Sequence, residues 1–180
     1  AGLDVPVIDT DAISHQLTQT GGVAIAAIRA EFGEAYIDAT GALDRTKMRQ
    51  LVFSNNAARL QLENILHPLI LARAKILAES SPAPYVILVV PLLFESSGYR
   101  DWLNRTAVVD CPEEMQIIRA TKRDGLDEKT VRAIMARQLP RAERLEFADD
   151  VINNSGSLPQ LQRQISRLHQ NYLALAERSN

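Results

Sequence analysis

Apolar residues recur through most of this chain at the spacing of helices, but one short stretch is apolar without a break: Tyr85-Val86-Ile87-Leu88-Val89-Val90. A run this short and rich in β-branched residues, set between Pro84 and Pro91, predicts a strand buried on both faces rather than a helix. Pro91 ends the ladder, so the strand spans 85–90. A strand covered on both sides needs helices above and below it, which predicts an α/β domain. In open sheets of that class, ligands sit beyond the carboxyl ends of the strands, where Glu95 falls.

The remaining elements are read around that strand. Val5-Pro6-Val7-Ile8 predicts a short strand ending in Asp9-Thr10-Asp11, with a helix capped by Asp11 that buries Ile13 and Leu17. Ala1-Gly2-Leu3 reads as the close of a helix. Between Ile13 and Ser81 the pattern is helical throughout. One helix spans Val23 to Phe32 and stops at Gly33. A turn covers 38–41, and Asp44 caps a helix that turns Met48, Leu51 and Val52 inward. A further helix carries Leu60, Ile65 and Leu66 and is interrupted at His67-Pro68, with Pro68 opening a new helix to about Glu79. These helices form an insertion between two strands, far longer than an ordinary crossover.

Thr106 to Val109 predicts another buried strand, ending at Asp110. Pro112, Glu113 and Glu114 open a helix that carries Arg119, Lys122 and Arg123 and stops at Asp124-Gly125. Asp127 caps the next helix, with Arg137 near its end, and Pro140-Arg141 closes the pair. Ala148 to Ile152 is a last strand. Ser157 and Gln160 form a capping box for a final helix whose Leu158, Leu161, Ile165, Leu168, Tyr172 and Leu175 make one stripe, expected to pack on the sheet.

Composition narrows the picture modestly. Apolar residues make up 46% and charged residues 23% of the 180, ordinary for one soluble globular domain. A formal net charge of −2 gives no basic field, so nucleic acid is not an expected partner, and since no apolar run reaches the length of a membrane span, neither is a membrane. Cys111 is the only cysteine, which excludes an intrachain disulfide and fits a reducing compartment. With no long apolar run and no signal-peptide pattern at the start, a cytoplasmic location is expected.

For chemistry, the three histidines and Cys111 lack zinc-ligand spacing. The G-x-S-x-G nucleophile turn and the G-x-x-x-x-G-K-[ST] phosphate loop are absent. What remains is a carboxylate pair, Asp9 and Asp11, at one strand end, Glu95 beyond another, and an arginine-bearing pair of helices. Each has a plain structural reading as well: Asp11 as a helix cap, the arginines as a solvated basic face. Taken together they suit phosphoryl transfer, in which a protein mainly positions groups and neutralises charge.

At this point the residues resemble the dephospho-CoA kinase family, of the P-loop nucleotide-kinase fold. The segments carrying the resemblance follow in order: Val7-Ile8-Asp9-Thr10-Asp11; Gly41-Ala42-Leu43-Asp44-Arg45 with Leu51-Val52-Phe53; Leu62-Glu63-Asn64-Ile65-Leu66-His67-Pro68-Leu69-Ile70; Pro91-Leu92-Leu93-Phe94-Glu95; Arg119 to Asp124; and Ala148 to Gly156. The resemblance implies a three-layer α/β fold with a parallel sheet, built as a single kinase domain over 1–180. Its core would be 1–17, 82–114 and 142–180, with a helical acceptor-binding insertion at 18–81 and a small helical lid at 115–141. It implies transfer of the ATP γ-phosphoryl group to the ribose 3′-hydroxyl of dephospho-coenzyme A, the final step of coenzyme A biosynthesis, with Mg²⁺. Asp11 would be the base near the hydroxyl, and Asp9 would assist, possible as a metal contact through water. Arg45, His67 and Glu95 would serve the acceptor site. Arg119, Arg123 and Arg137 would close on ATP, with Asn154 near the adenine. For His67 a role in the helix junction stands beside ligand contact. The alternatives are a nucleoside monophosphate kinase-like enzyme and a non-catalytic binding module for coenzyme A or a nucleotide. A monomer is the favoured state.

One departure stands out. The family begins with a strand, a glycine-rich phosphate loop and a helix, and this sequence begins just after them. In the family's sheet that strand lies between the strands read here at 85–90 and 106–109. Without it both inner edges would lack backbone partners, at a cost on the order of several kcal/mol. The sequence is therefore expected to be a piece of a longer functional chain, or to omit residues the real molecule has. The 180 residues alone are expected to be nearly inactive.

Overall fold

The computed structural model describes residues 3–96 and 98–179. Ala1-Gly2, read above as the close of a helix, lies outside the described residues. The chain divides into two compact units, one spanning Asp4–Val90 and the other taking in Leu3 and the chain from Pro91 onward.

In the first unit β1 (Val7–Asp9) runs directly into α1 (Thr10–Leu17), followed by α2 (Ile25–Phe32), α3 (Arg45–Ser54), α4 (Asn56–Glu79) and β2 (Ile87–Val89). β1 and β2 pair in parallel, with Val7 opposite Ile87, Ile8 opposite Leu88 and Asp9 opposite Val89. The long helix α4 packs against α1, α2 and α3, and the core between them holds Ile8, Ile13, Ile28, Met48, Ile70 and Ala74. Ile8 and Leu88 face this core. Their neighbours Val7, Ile87 and Val89 point to the other face and are 60%, 40% and 42% exposed. The strand at 85–90 is thus shorter than expected, and the helices of its unit cover one of its faces, not both.

Two further expectations are corrected here. The cap of α1 is Asp9, not Asp11: the strand runs one residue further and its last carboxylate accepts from the backbone N–H groups of Asp11 and Ala12. His67-Pro68 does not break the helix. α4 continues through Pro68, which removes one backbone donor from the ladder, while Ala58, Ile70 and Ala74 stay buried along its length. Tertiary packing on three neighbouring helices outweighs that lost bond. Asp44 and Gly33 cap α3 and α2 as expected.

In the second unit β3 (Ala107–Asp110) leads to α5 (Glu113–Asp124), α6 (Glu128–Met135), α7 (Arg141–Glu146), β4 (Asp150–Asn153) and α8 (Leu158–Ser179). β3 and β4 pair in parallel, Ala107 opposite Asp150 and Asp110 opposite Asn153. Gly125, at φ 67°, closes α5 in the left-handed conformation, and Asp127 caps α6. Pro140 follows the pair of helices and stands at the N-cap of a further short helix, α7, where its missing N–H costs nothing. α8 packs on β4, and the Tyr172 hydroxyl donates to the Asp150 carboxylate at 2.8 Å. Gln160 reaches back to the Ser157 backbone N–H at 2.8 Å, the return half of a capping box. The stripe on α8 is only partly covered, with Leu158 66% exposed. Among the described residues no helix is long and apolar enough to cross a membrane.

Candidate active site

The carboxyl end of β1 carries Asp9, Thr10 and Asp11 in three different roles. Asp9 Oδ1 accepts from the N–H of Asp11 at 2.8 Å and of Ala12 at 3.3 Å, meeting two of the otherwise unpaired donors at the start of α1. Thr10 is buried, and its hydroxyl donates to the Val89 carbonyl at 2.9 Å, tying the end of β1 to the end of β2. Asp11 is exposed in the first turn of α1. Its carboxylate takes no part in the cap and lies in the favourable field of the helix N-terminus.

Arg45 is the first residue of α3, exposed, and its Nη2 donates to the Thr18 hydroxyl at 2.7 Å. Thr18 is the C-cap of α1, so the helix that begins beside Asp11 ends beside Arg45. His67 is half-buried within α4, immediately before Pro68.

The remaining candidates lie in the second unit. Glu95 is exposed, and its Oε1 accepts from the Leu139 N–H at 2.7 Å, two residues beyond Arg137. Arg119, on α5, donates from Nη1 to the Asn154 carbonyl at 2.8 Å, and the Asn154 N–H donates to the Asp110 carbonyl at 2.7 Å. Two of the residues expected around ATP are therefore in direct contact. Beside Asn154 an open depression of about 590 Å³ is lined by Asn153, Ser155, Gly156, Gln160, Arg163 and Gln164. Gln164 holds both backbone groups of Asn153, at 3.0 and 2.9 Å. Arg123 and Arg137 are exposed, on α5 and just past α6.

Sequence reasoning missed the strongest polar anchor of this unit. Asp110, the buried end of β3, takes Arg141 in a two-pronged grip, with Nε to Oδ1 at 2.7 Å and Nη2 to Oδ2 at 2.5 Å. Donating to the Asp110 carboxylate holds the Arg141 guanidinium pKa above its ordinary value. Both residues stood out singly, Asp110 at a strand end and Arg141 after a proline, but their separation of 31 residues carries no sequence signal. Thr18 was missed for the same reason, 27 residues from Arg45.

Among the described residues no group of three or more His, Cys, Asp or Glu gathers as a metal cage. Mg²⁺ does not require one: it is usually held by one or two carboxylates, with water and substrate phosphates completing its octahedron. Asp11, exposed, and Asp9 Oδ2, outside the cap, suit that manner of binding.

The family model for dephospho-CoA kinase matches residues 1–160. A dephospho-CoA kinase from Nitrosospira multiformis is 51% identical over 179 residues, covering 99% of this chain and 90% of that protein. One from Thiobacillus denitrificans is 54% identical over 176 residues, covering 98% and 87%. Among solved structures, a protein from Thermus thermophilus superposes with a TM-score of 0.79 at 31% identity, over 93% of this chain and 85% of that one. A dephospho-CoA kinase from Campylobacter jejuni superposes with a TM-score of 0.66 at 26% identity, over the same shares. This chain therefore belongs to the dephospho-CoA kinase family, with the P-loop kinase type of α/β fold.

Proposed function

We propose that the protein transfers the γ-phosphoryl group of ATP to the ribose 3′-hydroxyl of dephospho-coenzyme A, the last step of coenzyme A biosynthesis. The match of the family model over residues 1–160 carries this reading, and the strand-end geometry agrees with it. Residues 1–180 act as one kinase domain, with 18–81 receiving the acceptor and 115–141 serving as the lid.

Phosphoryl transfer asks a protein to place the two oxygens in line and to balance charge. Asp11 meets the first demand: its exposed carboxylate orients the acceptor hydroxyl and takes its proton as the new bond forms. Asp9 holds the start of α1 still beneath it. Arg45 binds an anionic part of the acceptor, and His67 lines the same helical insertion. Arg119, steadied on the Asn154 carbonyl, and Arg123 and Arg137 balance the charge of the ATP phosphates, with Asn154 beside the base. Glu95 serves by fixing the Leu139 backbone next to Arg137. Mg²⁺, when bound, supplies further neutralisation of the phosphate oxygens. The protein works as a monomer.

The test is an ADP-release assay on the full-length protein, with dephospho-coenzyme A as acceptor. ADP that forms only with this acceptor, and 3′-phosphorylated product by mass spectrometry, are expected. Preference for a nucleoside monophosphate, or coenzyme A binding with no turnover at all, would replace the proposal.

A further inference from the structure

Arg45 differs from two other arginines of its unit in how it is held. Arg29 and Arg59 pair with the carboxylates of Glu34 and Glu63 at 2.7 Å. Arg45 is exposed, yet its guanidinium is fixed at 2.7 Å by a neutral group, the hydroxyl of Thr18. No carboxylate among the described residues pairs with it. Thr18 itself is 2% exposed and bound on every side. Its hydroxyl proton is directed to the Ser14 carbonyl at 2.8 Å, which leaves an oxygen lone pair for Arg45. Its backbone N–H donates to the His15 carbonyl at 3.2 Å, and its own carbonyl accepts from Leu43 N–H at 3.0 Å, two residues before Arg45.

We infer that Thr18 is a positioning residue for the acceptor: its buried hydroxyl aims the Arg45 guanidinium at a phosphate-bearing ligand without cancelling the charge that binds it. A carboxylate in the same place would hold Arg45 equally well but would compete with the ligand for it. A neutral hydroxyl leaves four of the five guanidinium N–H donors and the full positive charge for phosphate oxygens. Because Thr18 caps the end of the helix whose first turn carries Asp11, the hydroxyl also fixes Arg45 to the same rigid element as the proposed base. This inference rests on the reading of Arg45 as an acceptor contact.

The test uses T18V, which keeps the shape and loses the hydroxyl, T18S, which keeps the hydroxyl, and R45A, all in the full-length enzyme. For T18V the KM for dephospho-coenzyme A rises about five- to tenfold, the weight of one hydrogen bond to a charged group discounted for exposure. Its kcat and its KM for ATP stay within about twofold. T18S restores the acceptor KM, and calorimetric binding of dephospho-coenzyme A without ATP weakens for T18V in the same proportion. The double variant T18V/R45A is no worse than R45A, since the hydroxyl acts through that arginine. An R45A enzyme with weakened acceptor binding beside a T18V enzyme with normal binding would overturn the positioning role alone. Unchanged acceptor binding in R45A would overturn the Arg45 reading and this inference together. If T18V melts early, T18A read by the same calorimetry decides between these outcomes.

Discussion

Asp9 and Asp11 are two residues apart and chemically alike, yet the structure gives them opposite sensitivities, and replacing each with asparagine separates them. Asp11→Asn removes a carboxylate that accepts no capping bond, so its structural cost is limited to the field of the helix N-terminus, about 0.3–1 kcal/mol. Its catalytic cost is that of a lost general base, roughly 10²–10⁴ in kcat, or about 3–5 kcal/mol of barrier. Asp9→Asn keeps an oxygen that can accept from Asp11 N–H and Ala12 N–H, and asparagine is as good a cap as aspartate. Asp9→Ala loses both bonds and costs about 0.5–2 kcal/mol of stability. The assays are kcat from ADP release at saturating acceptor and unfolding midpoints in urea, on the same protein preparations. The expected pattern is an Asp11→Asn enzyme that is stable and nearly dead beside an Asp9→Ala enzyme that is destabilised. An Asp11→Asn enzyme within about threefold of the parent kcat would refute the base assignment, since even a modest general base contributes more than that. Equal stability for Asp9→Ala and the parent would refute the cap.

Three further outcomes follow from the same geometry. Thr10→Val keeps the shape of a buried side chain but leaves the Val89 carbonyl without its donor, and lowers unfolding free energy in urea by about 1–2 kcal/mol, whereas Thr10→Ser stays close to the parent. Glu95→Ala removes the acceptor of the Leu139 N–H, so exchange of that amide, followed by NMR, accelerates roughly five- to tenfold; an unchanged rate would show that Glu95 does not hold this segment. Acid weakens the fold through aspartates held below the usual carboxylate range. Asp149 is so held first by the backbone N–H of Thr106 and then by its hydroxyl, and Asp38 first by the hydroxyl of Thr40 and then by its backbone. A depressed native pKa contributes stability that is complete above the unfolded value of about 3.9 and is lost as pH falls through the native value. The urea midpoint is therefore flat from pH 7 to about 5 and falls below about 4; a midpoint that rises on acidification would contradict the assignment.

The sequence was most legible where structure is decided locally. Asp44 and Asp127 as caps, Gly33 and Gly125 as helix ends, and the turn built on Asp38 all depend on residues within four positions of one another. It was least legible where distant packing overrides a local rule. Pro68 reads as a break because it lacks a donor, and α4 runs through it because three helices pack along its length. Pro140 reads as an end and is a beginning, since proline is tolerated at both edges of a helix and the residue alone does not say which. The tethers that hold the candidate site, Thr18 to Arg45, Asp110 to Arg141 and Asn154 to Arg119, join residues 27 to 35 positions apart. No periodicity or motif marks such pairs. The apolar run at 85–90 announced a strand but, lacking alternation, could not reveal which of its faces would be left open.

Four carboxylates that end or follow the strands drew notice in the sequence, and residue type alone gave no way to rank them. Their partners do. Asp9 is committed to the start of α1, Glu95 to the Leu139 backbone, and Asp110 to two nitrogens of the Arg141 guanidinium. Each of these would have to give up a hydrogen bond worth about 1 kcal/mol or more before it could serve a substrate through the same oxygen. Among the described residues the Asp11 carboxylate accepts no such bond. It sits at the carboxyl end of a parallel strand pair, where ligands of α/β folds bind, on the first turn of a helix that another carboxylate already caps. A base that must meet a hydroxyl and take its proton is best left uncommitted until the substrate arrives, and on the proposed assignment the division of labour between Asp9, which caps the helix, and Asp11 would achieve that within three residues.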